Sequence, residues 1–339
     1  MKLALQYLIV YTLALQAVFV PSAYSQSKIA APDYSFAIAN QSPLTILYGV
    51  PRYHETSLTQ AGLSQWDVSF DISNNFTGSS TGSEFLRIDG ENTRLGLRYL
   101  RGFRNGWELG AELAIMHHGG GKLDSVITNF HDLFGFGQMG RDRIAKNQLN
   151  FQYTVDGVDQ IQFNQTATGI GDFSFLLAKQ VRANSDSQTS VRAQLKLPTG
   201  NSAKFFGSGA TDVNLGVHHS AAINQNWAWQ LYGNIAYLGT GEILPSQQKN
   251  TVLSAGVGLN WQAFERVSFR VQWDAHTSVY KRSNLGQFRK DAYLISFGGR
   301  ISLNKLGYLD LAITEDAPNP EASPDVSFYV NWRLPINPP

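Results

Sequence analysis

Apolar and polar residues alternate strictly along many short segments of this chain. In one of them, Trp107, Leu109 and Leu113 alternate with Glu108 and Glu112. Successive side chains of a β-strand point to opposite faces, so this pattern predicts a strand with one apolar and one polar face. A strand that crosses a membrane as part of a barrel needs this arrangement, with apolar groups toward lipid and polar groups toward the lumen.

The same alternation returns at regular intervals down to the C-terminus. Counting these segments predicts an all-β fold, a closed antiparallel transmembrane β-barrel of about 12 strands. The segments are 66–73, 94–99, 107–115, 171–181, 191–197, 212–222, 227–235, 253–261, 267–274, 292–303, 307–314 and 326–334.

The links between these segments alternate between short and long. Short links rich in Asn and Gly follow the even-numbered strands, as in Arg104-Asn105-Gly106, and such residues favour tight hairpin turns. The links after the odd-numbered strands are longer. This rhythm predicts short periplasmic turns, long extracellular loops and periplasmic termini. Aromatic residues near strand ends have the outward phase typical of a membrane interface: Trp107, Trp227, Trp229, Trp261, Tyr293 and Trp332. A soluble β-sandwich with an apolar inner face is the alternative fold.

The N-terminus predicts export across the inner membrane. Lys2 is followed by an apolar stretch, Leu3–Val20, and then by the small-residue pattern Ala23-Tyr24-Ser25. This combination is typical of a signal peptide cleaved after about Ser25, and an uncleaved membrane anchor is the alternative. We therefore divide the chain into a signal peptide (1–25), an N-terminal segment (26–62), a barrel (63–334) and a tail (335–339).

Composition agrees with an exported barrel and narrows the partners. Charged residues make up 16% of the chain, Cys is absent and the formal net charge is +1. The chain lacks the excess of basic residues that would indicate nucleic-acid binding. The expected partners are outer-membrane lipids, the barrel-assembly machinery during biogenesis and a small apolar solute, in the bacterial outer membrane. No cofactor is expected.

Two regions outside the strands are candidates for function. The segment 26–62 contains several prolines and predicts either a periplasmic arm or a plug that enters the barrel.

The loop 117–170 is far longer than a hairpin requires, and long loops are often functional. Apolar residues at helical steps from Leu123 to Phe134 predict a helix, and Asp156-Gly157 predicts a hairpin. This extracellular loop either caps the mouth, folds inward as a constriction, presents an apolar pocket or only rigidifies the rim; its candidate ligand-binding residues are Phe130, His131, Phe134 and Phe136.

The residues at the inward-facing positions of the strands carry charges of both signs. Charges in a lumen either pair with one another as a packed polar core or line a thin conduit. The residues predicted to face the lumen are Arg94, Arg98, Glu108, Glu112, Arg192, Lys196, Asp212, Arg270, Asp274, His276, Arg300 and Arg333.

Catalysis and metal binding are the less favoured alternatives. Asp274, His276 and Ser278 lie at period two on one strand, which resembles the Ser–His spacing of outer-membrane phospholipases. A working triad needs the His between its partners, and here the phase points the residues inward rather than toward lipid. Adjacent histidines such as His117-His118 and His218-His219 point to opposite faces of a strand, so no metal site is predicted.

Several short motifs resemble known outer-membrane families. The stretch from Gly169-Ile170-Gly171-Asp172-Phe173 through Leu197-Pro198-Thr199-Gly200 to Ala210-Thr211-Asp212 resembles the meta-pathway phenol-degradation-like transporters. Over its mature length the chain is more similar to domain of unknown function family 3187, on motifs such as His131-Asp132-Leu133-Phe134-Gly135 and Trp273-Asp274-Ala275-His276. The resemblance implies a barrel that passes small apolar molecules. The expected function is thus a narrow channel or binding protein for small, hydrophobic molecules; the alternatives are a structural barrel with a packed lumen and a lipid hydrolase using His276 and Ser278.

Overall fold

The computed structural model describes residues 33–52, 54–134, 145–316 and 322–336. The predicted signal peptide and its cleavage point lie outside these residues. No helix in the described part of the chain is both long and apolar enough to cross a bilayer.

Fifteen strands form one antiparallel sheet, and β15 pairs with β1 so that the sheet closes on itself. Three short strands lie outside the ring, because β4 pairs with the end of β2, β5 pairs with β4, and β6 pairs with the end of β3. This leaves 15 − 3 = 12 strands in the ring. The predicted all-β antiparallel barrel is therefore confirmed. The strands are β1 (Ser64–Thr81), β2 (Glu84–Phe103), β3 (Trp107–Gly119), β4 (Asn150–Val155), β5 (Val158–Phe163), β6 (Ala167–Ile170), β7 (Phe173–Ala183), β8 (Ser187–Leu197), β9 (Asp212–Ala222), β10 (Trp227–Leu238), β11 (Thr251–Phe264), β12 (Val267–His276), β13 (Ala292–Ser302), β14 (Tyr308–Asp316) and β15 (Val326–Ile336).

The outer surface of the barrel is a continuous band of large apolar side chains. Leu109, Leu215 and Leu253 each leave about half of their surface exposed, at 48%, 53% and 53%. Aromatic pairs stack at both ends of the strands, with 5.6 Å between the ring centroids of Trp227 and Trp261 near the periplasmic turns. A soluble protein does not expose an apolar surface of this extent, so the band indicates contact with lipid.

The first link of the barrel differs from the prediction of long loops after every odd strand. β1 and β2 continue as 18- and 20-residue strands and meet in a tight turn at Gly82-Ser83. Strands of about 9–11 residues suffice to cross a membrane, so both strands project beyond the lipid. The predicted first long loop is a β-ribbon because residues 74–93 find ladder partners in each other and in β4.

The predicted loop 117–170 is shorter than its sequence boundaries suggested. His117–Gly119 completes β3, which pairs with β6 at Ala167–Ile170. Between them lie helix α1 (Leu123–Phe134) and the β4–β5 hairpin. Asp156 and Gly157 form the hairpin turn with φ values of 50° and 77°, the left-handed conformation that a two-residue hairpin needs.

The predicted tail 335–339 is also shorter, because β15 continues through Ile336 and pairs Pro335 with Gln65 and Ile336 with Ser64. The partner strand β1 begins at Ser64, so the ladder extends beyond the predicted boundary.

An apolar cluster, here called the extracellular cap, lies over the extracellular mouth. The β4–β5 hairpin contributes Phe151, whose ring centroid is 5.6 Å from that of Phe163 and 5.8 Å from that of Phe205. Tyr153 packs on Phe288 of the short helix α2 (Gly286–Arg289) and donates a hydrogen bond of 2.6 Å to Glu84. Burial raises the pKa of Tyr153 to about 12, so its hydroxyl remains protonated as a donor. The cap consists of Leu44, Leu47, Tyr48, Leu86, Ile88, Phe151, Tyr153, Ile161, Phe163, Phe205, Ala236, Leu238, Ile243, Leu244, Val252, Val279, Tyr280, Leu285 and Phe288.

Candidate functional site

The lumen of the barrel is occupied by the chain's own N-terminal residues. We call residues 33–52 and 54–60 the lumen segment. Its first limb, residues 33–41, follows β12 from the periplasmic end toward the extracellular end. The carbonyl of Tyr34 accepts a 2.7 Å hydrogen bond from Arg270, and the backbone of Phe36 exchanges two 3.1 Å hydrogen bonds with the amide of Gln272. The limb therefore runs alongside the inner face of β12.

The lumen segment turns at its extracellular end and enters the cap. Asn40 reaches His276 with 3.0 Å between the Asn Nδ2 and the His Nε2 atoms, and the chain then forms a turn from Ser42 to Tyr48. Tyr48 donates a hydrogen bond of 3.2 Å to Tyr280, which donates one of 2.9 Å to the carbonyl of Leu44. Leu44, Leu47 and Tyr48 are buried members of the cap, so the turn is held mainly by apolar packing.

The second limb returns to the periplasmic end along other strands. The amide of Gly49 donates a 2.8 Å hydrogen bond to Asp212 on β9, and the carbonyl of His54 accepts one of 3.0 Å from His218. Near the exit, the amide of Thr59 donates one of 2.7 Å to Glu108 on β3. The lumen segment thus enters and leaves the barrel at the same end, and its polar contacts reach most of the way around the wall.

The residues predicted to face the lumen lie on the inner face of their strands, and each contacts a partner there. Arg192 forms an ion pair of 3.1 Å with Glu108. Lys196 lies 3.2 Å from Asp212 and contacts Asp172 as well. Tyr232 donates a hydrogen bond of 2.8 Å to Asp274. These contacts form a packed, polar inner surface.

One sector of the wall, which we call the cationic sector, carries more guanidinium than carboxylate charge. Arg98 and Arg333 share Asp67, with distances of 2.9 Å and 2.8 Å from their Nε atoms. Arg300 pairs with Asp310 at 2.6 Å and 2.8 Å. Three cations therefore face two carboxylates, 3 − 2 = +1, and the Glu55 carboxylate of the lumen segment supplies the remaining negative charge.

The neighbouring sector, which we call the anionic sector, has the opposite imbalance. Asp71 and Glu112 both contact Arg94, at 3.6 Å for Asp71. Two carboxylates facing one cation leave a net charge of −1, and Arg52 of the lumen segment lies 3.7 Å from each carboxylate. The lumen segment therefore complements the charge of the wall on both sectors.

A cavity of about 80 Å³ remains beside the lumen segment. Its lining combines polar groups such as Arg94, Glu112 and Lys196 with the apolar side chains of Met116 and Phe206. A water molecule needs about 10–15 Å³ of such a cavity, so the cavity has space for about five to eight waters.

The contacts around His276 give no support to the hydrolase alternative. Its Nδ1 atom lies 2.9 Å from the carbonyl of Thr277, and its Nε2 atom contacts Asn40. Ser278 accepts a hydrogen bond from Lys249 and donates one of 3.4 Å to the carbonyl of Tyr280. Both ring nitrogens of the histidine thus contact groups other than the serine.

Within the described ranges, no three His, Cys, Asp or Glu side chains are grouped as metal ligands. Phe130, His131 and Phe134 belong to α1, but their side chains lie outside the described part of the structure, as does all of Phe136.

The alternation that predicts the strands gives no indication that Arg52, His54 and Glu55 contact the inner wall. These residues belong to no alternating segment, and their partners on the wall lie from 71 − 52 = 19 to 333 − 55 = 278 positions away in the sequence. The one available signal was their density of charge, Arg52-Tyr53-His54-Glu55, in a segment that is otherwise rich in apolar residues and proline. Arg98 contacts His54 directly, so this short cluster lies against the wall charges.

Comparison with solved structures places the fold among outer-membrane barrels. A COG4313 outer membrane channel from Pseudomonas putida F1 superimposes with a TM-score of 0.58 at 12% sequence identity, covering 83% of this chain and 98% of that chain. The NanC porin (TM-score 0.46, 8% identity, 79% and 98% covered) and the Pseudomonas putida toluene transporter TodX (TM-score 0.37, 10% identity, 91% and 95% covered) are more distant. At these identities the likeness concerns the fold alone.

Comparison of sequences gives the family. No curated protein matches the chain. A family model described as "Protein of unknown function (DUF3187)" matches residues 11–334, which is nearly the whole length. The chain therefore belongs to the DUF3187 family, in agreement with the resemblance noted from its motifs.

Proposed function

We propose that this protein is an outer-membrane channel for small molecules whose lumen is closed at rest by the lumen segment. The observation that carries the proposal is that the segment enters and leaves at the periplasmic end, as its contacts at Tyr34 and Thr59 indicate. A segment attached in this way can withdraw toward the periplasm without threading through the wall. Solute passes when the segment moves.

The wall has its own ion pairs, which do not depend on the lumen segment. Arg300 pairs with Asp310, Arg192 with Glu108 and Arg98 with Asp67. Contacts between segment and wall are hydrogen bonds and buried ion pairs, such as Arg52 with Asp71 and Glu55 with Arg300. Water can replace the hydrogen bonds, each of which contributes only about 0.5–1.5 kcal/mol net. The barrel can therefore remain closed on itself while its lumen opens.

The dimensions of the wall favour small solutes. A barrel of this strand number encloses a much narrower lumen than the 16-stranded porins. Once the cap moves, its apolar side chains, among them Phe151 and Phe288, line the extracellular mouth for solutes with an apolar part. This combination supports a channel for small molecules that are at least partly apolar.

A reversible disulfide between the lumen segment and the wall tests the proposal. A Cβ atom built on Gly49 lies 2.8 Å from the Cβ of Asp212, and disulfide-bonded residues have Cβ atoms about 3.5–4.5 Å apart, so a shift of about 1 Å would fit the bond. The chain has no Cys of its own. In planar bilayers, we expect the full-length Gly49→Cys/Asp212→Cys protein to be silent when oxidised and to show discrete openings after reduction.

Two single variants, Gly49→Cys and Asp212→Cys, control for the loss of the Asp212 contacts with Lys196 and Gly239. Both should open equally under oxidising and reducing conditions. Equal conductance of the oxidised and reduced double variant would show that the lumen segment is not the gate. Silence of the reduced variant and of the wild type would instead favour the structural barrel with a packed lumen.

A further inference from the structure

The Glu55 carboxylate occupies a site made by two wall arginines. Its Oε1 atom lies 2.9 Å from Arg300 Nη1 and also contacts Arg333. Both contacts use the same oxygen of the carboxylate. A guanidinium can donate two parallel hydrogen bonds to a carboxylate, which Glu55 does not exploit here.

The carboxylates of the wall that contact these arginines do not neutralise them. As described above, the cationic sector carries a net charge of +1 without Glu55, because Asp67 and Asp310 are shared among Arg98, Arg300 and Arg333. When the lumen segment withdraws, this positive charge stays on the wall of a narrow lumen. Such a site attracts an anion of the same chemistry as the group that left.

The site also lies next to the periplasmic rim of the barrel. Tyr308, the first residue of β14, lies at the periplasmic rim with 41% of its surface exposed. Its ring centroid is 5.0 Å from the Arg300 guanidinium carbon, and the ring of Tyr34 approaches the same carbon to 4.5 Å. Aromatic rings beside a guanidinium accommodate a flat, partly apolar ligand as well as its charge.

We infer that Arg300 and Arg333 form a binding site for the carboxylate of a small organic anion, and that Glu55 occupies this site in the closed state. The inference rests on the proposed channel function and deepens it, since it assigns a substrate class to the lumen. The solute carboxylate replaces Glu55 between the two arginines, and the second limb of the lumen segment is released.

The rate of cross-linking between the lumen segment and the wall measures this exchange without any need for ion current. Reduced full-length Gly49→Cys/Asp212→Cys protein in lipid vesicles is exposed to an oxidant, and disulfide formation is followed over time. Sodium benzoate is the probe, benzamide is the matched neutral ligand and sodium chloride controls for ionic strength. We expect benzoate alone to slow the cross-link, because it displaces Glu55 and moves Gly49 away from Asp212.

Two substitutions in the same cysteine background separate the site from general loosening. Glu55→Gln removes the competing carboxylate and its charge, so benzoate should act at a concentration about tenfold lower, which corresponds to about 1.4 kcal/mol. Arg52→Gln breaks the contacts with Asp71 and Glu112 on the anionic sector. It should loosen the segment as well, but because the Glu55 carboxylate still competes, it should shift the benzoate midpoint less than Glu55→Gln does.

Equal effects of benzoate and benzamide, or the same benzoate midpoint in Glu55→Gln and in its parent, would overturn the carboxylate site. Either result leaves the proposed function intact as long as the reduced double variant conducts and the oxidised one does not. Loss of that conductance difference would overturn the proposed function itself, whatever the cross-linking rates show.

Discussion

Asp67→Asn is expected to lower the free energy of unfolding by about 3–5 kcal/mol, the usual cost of removing one partner from a buried ion pair. Asp67 is 3% exposed and accepts hydrogen bonds from both Arg98 and Arg333. It joins β1 to β2 and to β15, the strand pair that closes the barrel. The amide cannot neutralise two guanidinium groups, so both remain buried with too little negative charge.

Urea unfolding in lipid vesicles measures this effect, with the heat-dependent gel mobility of the folded barrel as a second readout. Asp159→Asn is the matched control, because Asp159 lies on the exposed β4–β5 hairpin and only accepts a long hydrogen bond of 3.4 Å from Gln152. We expect this variant to stay within about 0.5 kcal/mol of the wild type. Equal stabilities of the two variants would show that the closing strands do not depend on the Asp67 pairs.

Phe151→Ala is expected to detach the β4–β5 hairpin from the mouth while the barrel stays folded. Phe151 is fully buried and lies between His118, Phe163 and Phe205, with ring centroids 5.4–5.8 Å apart among the phenylalanines. Truncating a buried Phe costs about 3–5 kcal/mol. The hairpin pairs with the barrel only through the projecting end of β2, so this loss falls on the cap rather than on the ring.

Limited proteolysis from the extracellular side detects the detached hairpin, and heat-dependent gel mobility reports on the barrel. We expect faster cleavage within 145–163 in Phe151→Ala and unchanged mobility of the barrel. Val158→Ala is the control, since Val158 is 61% exposed at the hairpin turn. Cleavage of Phe151→Ala at the wild-type rate would mean that the remaining cap contacts, such as Tyr153 on Phe288, hold the hairpin alone.

Different parts of the molecule are held in place by different kinds of contact. The wall is held by continuous strand ladders and by ion pairs such as Arg300 with Asp310. The second limb of the lumen segment is held by separate polar contacts, and the first limb adds apolar packing of Phe36 and Ile38 against Tyr329 of the wall. The turn at Leu44–Tyr48 is held by the apolar cap. Movement of the lumen segment is therefore expected to involve the cap, which makes the β4–β5 hairpin a second control point of the proposed channel.

The sequence by itself determined the barrel. Alternation in a segment such as 227–235 identifies a strand and its lipid-facing side chains without knowledge of any other segment, because the period of two is a property of each strand alone. Turn residues such as Asn105, which has a φ of 61°, also act locally. Strand number, orientation and the inner face of the wall followed from these local signals.

Only the tertiary structure decided where the lumen segment lies and which charges pair. Both candidate partners of Glu55, Arg300 and Arg333, are more than two hundred positions away, and every inward charge has several possible partners of the opposite sign. The first ribbon was missed for a similar reason, since residues 74–93 lack clear alternation where both faces leave the lipid. Contacts inside a polar lumen follow from charge balance and fit in three dimensions, and these have no period along the chain.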